Sequence, residues 1–495
     1  MDILRRIIFY IFLVFYLLSC PLLILYSLGY IVYPLKDKMV HTGVIHLATW
    51  PAGAQVFLEK THFKDQTPMT IQDLLPGEYT VRIELAGYHQ WVHKIRVEDG
   101  KAAAFDKILL IPNSWSEKSL HADAFSELTP LQGTEYFLLA QDGQLKNHYV
   151  YDWKKDSLRP FPVVDPGLFD FRVSTVFTKE DSSSILIMGG PIWDRKYIYA
   201  QMTVQGPEVW DISKLITQRP LDVEWGSGSR DIVFALYDGY VDRLDTVLDS
   251  VYPRYVEDVR GWGVYRDQFL VIDRNNSLLV SPVGKKDFKV FLDNRELSDI
   301  WSREKDFYDI RPLGSDIVVF LGSHSTIILN HSRPYVIDEP LVGVRLDAGN
   351  AKLLMWTRKE IGVIDLSNEE NPKSTAAVQA NIDWVFVQGK DIRQCFWVYE
   401  GSHIIFRDGN QVWLLEPQPQ GPAHLEAVTA SKENSSVVFV EAKGSLYYLG
   451  EHDGRLYSLD IVARKGPELP AFKEDASSAL SNKFFNVASP VSQKD

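Results

Sequence analysis

The chain has 495 residues, 45% of them hydrophobic and 24% charged, with a formal net charge of −13. That length exceeds what one hydrophobic core usually needs, and the composition excludes general disorder. Lys and Arg are scattered among Asp and Glu with no basic stripe, which excludes nucleic acid as a partner, and two cysteines, Cys20 and Cys395, exclude a disulfide scaffold and a cysteine-built zinc site.

The first element is apolar. Residues 7–35 carry no charge, and a helix needs about 20 apolar residues to cross a bilayer core. The expectation is a transmembrane signal anchor over 7–35, behind a cytoplasmic stub of residues 1–6 and kinked near Pro21. Arg5 and Arg6 precede the run while Lys36 and Lys38 follow it, so the positive-inside count is a tie. A cytoplasmic N-terminus is still expected, because the stub is too short to hold a domain. Tyr30 and Tyr33 would then lie at the outer interface. A cleaved signal peptide would want a shorter apolar core and a small-residue exit site. Leu17-Leu18-Ser19-Cys20 resembles a lipobox with Cys20 acylated, but residues 21–32 stay apolar where a mature lipoprotein turns polar.

After the anchor the hydrophobic period changes. Tyr79, Val81, Ile83 and Leu85 alternate with Thr80, Arg82 and Glu84, the signature of a strand with one buried face. Further strands are expected at 44–49, 55–58, 90–97 and 101–111. Their turns fall at Pro51-Ala52-Gly53, Pro76-Gly77 and Ala86-Gly87-Tyr88. Five or six short strands in roughly 70 residues predict a small antiparallel β-sandwich.

The ordered set Pro51-Ala52-Gly53-Ala54, Thr67-Pro68, Leu75-Pro76-Gly77-Glu78-Tyr79, Ala86-Gly87-Tyr88 and Trp91 resembles a PEGA domain over residues 43–112. Ala52 stands where the name-giving Glu would be, and Gln66 where a Gly often precedes Thr-Pro. The resemblance implies a β-sandwich of membrane-anchored or cell-surface proteins, and it implies no catalytic residues.

From residue 113 apolar strands recur around Asp-Gly or similar turns, as in YFLLAQDGQLKNHYVYDW, DIVFALYDGYVDRLD and HIIFRDGNQVWLLE. Asp-Gly between apolar runs is a strong hairpin signal. Units starting near Thr134, Val173, Val223, Asp258, Tyr308, Val342, Trp384 and Val428 recur at roughly 35–50 residues, the length of a four-stranded propeller blade. The expected domain over 113–463 is a β-propeller of seven or eight blades, with a pair of β-sandwiches as the alternative. A short helix is expected at 294–305, and a flexible tail over 464–495 that includes Phe484 and Phe485. The fold class is therefore all-β after one N-terminal transmembrane helix.

No catalytic, cofactor-binding or metal-ligating residue is assigned. Ser302 to Lys305 matches Ser-x-x-Lys without its companion motifs, and a solvated helical turn explains it. Asp273, Asn275 and Ser277 alternate as in a calcium loop but lack the later Glu and the bend Gly, so a hairpin turn is the better account. His121, His324, His331 and His403 are read as solvent-exposed turn residues. Trp193, Trp210, Trp225, Trp262, Trp301, Trp356, Trp384, Trp397 and Trp413 are read chiefly as blade cores, although aromatic faces can also stack on sugars. The functional expectation is a non-enzymatic binding or scaffold protein of the cell envelope, displaying a propeller on a PEGA-like stalk and meeting an envelope protein or glycan. A propeller-fold envelope enzyme, for example a hydrolase with its site in the central channel, is the alternative.

Overall fold

A computed structural model describes residues 2–462 apart from 28–29, 34–37, 132–133, 164–170, 179–183, 192–193, 204–205, 226–231, 266–267, 284, 293–307, 314–316, 331–332, 348, 350, 367–377, 380–381 and 418–422. The expected helix at 294–305, the Ser302 motif, His331, Trp193, Trp301 and the tail lie outside the described residues.

The first element is helix α1 (Asp2–Ser27), 26 residues long with Pro21 inside it. At about 1.5 Å per residue it extends roughly 39 Å. Its large side chains are exposed, among them Ile11, Phe12, Phe15, Leu18 and Leu23. The expected transmembrane helix over 7–35 is not borne out as such. The helix stops at Ser27, and Tyr30–Tyr33 (β1) pairs antiparallel with Lys38–His41 (β2), which removes Tyr30 and Tyr33 from a helical interface. Tyr, Ile and Val favour the pleated conformation once the helix has ended. Among the described residues no helix is long and apolar enough to cross a membrane.

Seven strands build the sandwich: β3 (Gly43–Trp50), β4 (Gln55–Leu58), β5 (Thr61–Gln66), β6 (Met69–Leu74), β7 (Gly77–Glu84), β8 (Trp91–Val97) and β9 (Ala102–Leu109). One sheet has the order β6-β3-β9 and the other β5-β4-β7-β8. Every second residue of β3 is buried, so Ile45 and Leu47 face Val56, Val81, Ile83, Trp91 and Ile95 in the core. Each such Val, Leu or Ile contributes about 1.5–3 kcal/mol by leaving water. The sandwich is not wholly antiparallel, because β9 arrives from the opposite sheet and pairs parallel with β3.

The family-like turns are hydrogen-bonded to one another. Gly53 N donates to Thr67 O at 2.8 Å, Thr67 N to Ala54 O at 3.0 Å, and the Thr49 and Thr67 hydroxyls meet at 2.6 Å. Gly53 has φ of +87°, a left-handed conformation that a Cβ would strain. The Tyr79 hydroxyl donates to Leu75 O at 2.8 Å, tying that turn to the strand it opens.

The second compact unit is Trp115–Ile461. Its described strands form eight four-stranded antiparallel blades: 127–160, 173–211, 222–257, 259–292, 308–337, 343–386, 392–430, and 438–460 completed by Glu117–Ala124. Strands within a blade run from inner to outer in chain order. Blade 8 is the exception that closes the ring, since its outer strand comes from the start of the unit and pairs with Arg455–Asp460.

Neighbouring blades share cores. Leu138 of blade 1 packs in one cluster with Ile185 of blade 2, Tyr199 of blade 2 with Trp225 of blade 3, and Phe234 of blade 3 with Phe269 of blade 4. Ile272 then joins Phe320, Val319 joins Leu353, Leu354 joins Ile404, and Leu449 of blade 8 joins Leu139 of blade 1. Between blades 7 and 8 the buried Arg407 guanidinium donates to Ser435 O, and to Lys432 O at 3.1 Å. The strand order itself is that of an eight-bladed propeller.

Candidate functional site

The inner strands of blades 4 and 5 run parallel and are hydrogen-bonded to each other, Gly261 opposite Tyr308 and Trp262 opposite Asp309. Adjacent propeller blades normally touch through side chains, and here the backbones meet. Glycine explains it: a Cβ on Gly263 would collide with the Ile310 carbonyl oxygen. This side of the inner ring is pinched shut.

The opposite side is open. The inner strands of blades 6, 7, 8 and 1 carry large side chains, and a cavity of ≈ 220 Å³ lies among them. Its wall includes Pro130, Leu131, Phe137, Phe396, Val438, Phe439 and Val440, together with Thr134, Trp153, Arg345 and Gln394. The Arg345 guanidinium lies flat over the Phe396 ring, 4.3 Å from its centre. The Trp397 indole donates to Arg345 O at 3.4 Å, and Val437 N donates to Gln394 Oε1 at 2.9 Å.

Blade 1 contributes the rim. Thr134 Oγ1 donates to Leu131 O at 2.6 Å and accepts from Tyr136 N at 3.1 Å, which fixes the loop after the inner strand. The Trp153 indole donates to Thr134 O at 3.4 Å. Lys443 of blade 8 donates to Trp153 O, and its ammonium stands 5.5 Å from the Trp153 ring. No carboxylate or histidine is part of this lining. Such a wall can enclose an apolar group.

Carboxylates gather instead toward the pinched side. Asp222 of blade 3 accepts from Val223 N at 2.9 Å and from the Trp262 indole. Burial, with the Asp309 charge adding to it, pushes the Asp222 carboxyl up to about 6. Asp309 itself is held by Arg311, whose Nε and Nη2 both lie 2.8 Å from Asp309 Oδ2. Among the described residues, no group of three or more His, Cys, Asp or Glu is placed to hold a metal ion.

The residues singled out in the sequence fall as follows. Asp273 forms the turn between the second and third strands of blade 4, its Oδ1 accepting from Ser277 N at 2.9 Å. His324 is an exposed turn residue, and His121 lies half-buried on the strand that closes blade 8. His403 is a correction: it opens a strand of blade 7 and is 2% exposed, with Nδ1 2.8 Å from Ser402 Oγ, because the strand that carries it is buried between blades. Burial, with the neighbouring His424, drives its pKa down to about 3. Trp225, Trp262 and Trp356 are buried, and Trp210, Trp397 and Trp413 pack against blade cores. Cys395 is fully buried, and burial pushes its thiol well up.

Sequence reasoning missed the open cavity altogether. Trp153, Arg345, Gln394 and Phe439 come from four blades, and no local motif joins them. Only the blade 6 strand that carries Arg345 coincides with an expected blade start, near Val342, so the sequence held no joint signal for the cavity.

Residues 42–110 match the PEGA domain. No curated protein matches the chain. Similar solved structures include the Dos1 propeller (9% identity, TM-score 0.43, covering 71% of this chain and 95% of that one) and Kluyveromyces lactis Hsv2 (8%, 0.40, 62% and 98%). A third is PorZ of Porphyromonas gingivalis, described as a surface component of the type-IX secretion system (13%, 0.34, 67% and 42%). Scores of this size carry no argument, and the propeller stands on its own strand order.

Proposed function

We propose that the protein is a non-enzymatic binding or scaffold protein of the cell envelope, anchored by α1, with the PEGA domain as a stalk and the propeller as the head that meets its partner. The observation that carries the binding role is the open side of the inner ring, where aromatic and aliphatic side chains from four blades surround a cavity with one guanidinium. An enzyme would converge carboxylates or histidines there. The anchor rests on residues 7–35, which lack charge, and on a helix whose Phe, Ile and Leu side chains are exposed. Exposed apolar side chains on such a helix are expensive to leave in water, which supports their burial at a membrane. With the N-terminus cytoplasmic, the bulk of the chain is extracytoplasmic, and anchoring raises the head's effective concentration near other membrane-surface proteins.

Proximity labelling and crosslinked capture test this, comparing the full chain with one lacking residues 113–495. Envelope partners that disappear with the truncation assign binding to the propeller. Partners that persist unchanged overturn that assignment and give the contacts to the sandwich or the helix.

A second reading, a propeller-fold envelope enzyme such as a hydrolase, has Asp222 in its favour, a carboxyl shifted into the range of a general acid. It requires turnover of some envelope substrate with an inflection near pH 6 that Asp222→Asn removes. A hydrolase substrate panel without turnover ends it.

A further inference from the structure

We infer that blade 2 carries an anion site in which the Tyr197 hydroxyl and the Arg195 and Arg219 guanidiniums hold a tetrahedral oxyanion, a phosphate or sulfate group. The site goes beyond the binding-head reading and shares no residue with the open cavity.

Buried donors come first. Tyr197 lies on the third strand of blade 2, Lys196–Thr203, and is 1% exposed. Its hydroxyl and the Nε of Arg195 are both buried, and neither has a hydrogen-bond partner among the described residues. Leaving a buried donor unpaired is costly, and most such groups in folded proteins find a partner. Arg195 and Tyr197 are alternate residues at the start of the strand, so their side chains leave on the same side. One guest can accept from both.

Charge comes second. Burial raises the pKa of the Tyr197 hydroxyl, and the positive charges of Arg195 and Arg219 act against that rise, so both guanidiniums are near enough to be felt there. No carboxylate among the described residues acts on that hydroxyl. Nη1 of Arg195 donates to the neutral Ser174 hydroxyl at 3.0 Å, which positions the guanidinium without cancelling its charge. Nearby carboxylates are engaged elsewhere: Asp194 pairs with Lys196 at 3.2 Å, and Asp211 accepts from the backbone N–H and the hydroxyl of Ser213. An anion accepts from both donors and meets both positive charges, where a water molecule does only the first.

Shape comes third. The donors arrive from three segments: the residue before the strand, the strand itself and the connection to blade 3, on which Arg219 lies. A carboxylate offers two oxygens in one plane, whereas a tetrahedral oxyanion presents acceptors on every side. Arg219 is exposed and Arg195 half-buried, so the guest enters from the guanidinium side.

The test is calorimetric titration of the full chain in detergent micelles with inorganic phosphate, sulfate and glycerol 3-phosphate, each against chloride at equal ionic strength. The expected result is saturable binding of an oxyanion and none of chloride, weakened about tenfold or more by Tyr197→Phe and by Arg219→Gln. Tighter binding of glycerol 3-phosphate than of the inorganic ions assigns the site to an esterified phosphate, and equal or weaker binding assigns it to a free oxyanion. Tyr197→Phe keeps the ring in the core and removes only an unpaired hydroxyl, and Arg219 is exposed, so both variants are expected to fold. No binding of any oxyanion at millimolar concentration overturns the inference, as does binding that either variant leaves unchanged.

Discussion

Blades 4 and 5 and blades 6, 7, 8 and 1 solve the same geometric problem with opposite residues. Where Gly261 and Gly263 occupy an inner strand, the neighbouring backbone comes within hydrogen-bonding range and two blades fuse into one sheet. Where Arg345, Gln394, Phe396 and Phe439 occupy the equivalent strands, no such ladder forms among the described residues and a cavity remains. Gly263 lets the blade 4 inner strand approach the Ile310 backbone of blade 5, and that close approach accompanies the one inner-strand ladder among the described residues. One ring holds both the ladder and the cavity.

The largest effect is expected on the pinched side. Gly263→Ala sets a methyl against the Ile310 carbonyl group and Cβ, none of which is the end of a flexible side chain. We expect a loss of about 3 kcal/mol, read as a lowered denaturant midpoint. A midpoint within experimental error of the unaltered protein would mean that the two inner strands are not in contact.

Next comes His403, on the open half of the ring. Its folded pKa is depressed to about 3 by burial, so the stability it contributes is present above the unfolded value near 6.5 and is lost as pH falls below it. Between pH 7 and pH 5 the loss is about 2 kcal/mol by proton linkage. Unfolding curves at the two pH values should show it, and His403→Gln should flatten the difference; an unchanged slope in the variant contradicts the buried placement.

Asp222 runs the other way. Its folded pKa is raised to about 6, so its favourable contribution is complete below about 3.8 and is lost as pH rises through 6. Asp222→Asn should therefore stabilise the protein at pH 7.5 by about 1 kcal/mol, discounted for partial exposure, and the gain should vanish by pH 4. A gain that is independent of pH would point to packing instead of charge.

Arg345→Ala should give the smallest change in stability, about 0.5–1 kcal/mol from the lost stack on Phe396. It should nevertheless reduce capture of the partner. A stability loss well above 1 kcal/mol, large enough by itself to account for the lost capture, would make Arg345 a structural residue.

Much of this was legible in the sequence, unevenly. The sandwich turns could be read because Pro51, Gly53, Thr67 and Gly87 sit where backbone geometry demands their kind, and the strands at 44–49, 55–58 and 90–97 came close to β3, β4 and β8. Thr61–Gln66 was missed because its residues are almost all exposed, leaving no alternation to find. Asp-Gly pairs marked the turn between the second and third strands in blades 1, 3 and 7, with Gly239 and Gly409 at φ of +77° and +63°.

Five expected blade starts fell on or within one residue of an inner strand: Val173, Val223, Asp258, Tyr308 and Val342. Thr134 missed because the inner strand of blade 1, Glu127–Pro130, is only four residues long and ends in proline. Trp384 and Val428 proved to lie on outer strands of blades 6 and 7, whose apolar residues resemble those of an inner strand in the sequence. The cavity was not legible, since it depends on which strands become neighbours around a ring whose closure joins Glu117–Ala124 to Arg455–Asp460.

The most direct test of the two-sided ring is photocrosslinking in cells with a benzophenone-bearing phenylalanine placed singly at Phe439 on the open side or at Arg311 on the pinched side. The account predicts a crosslinked partner from position 439 and none from position 311. A partner captured from 311 and not from 439 would contradict it, and would move the binding surface to the side where the inner strands are joined.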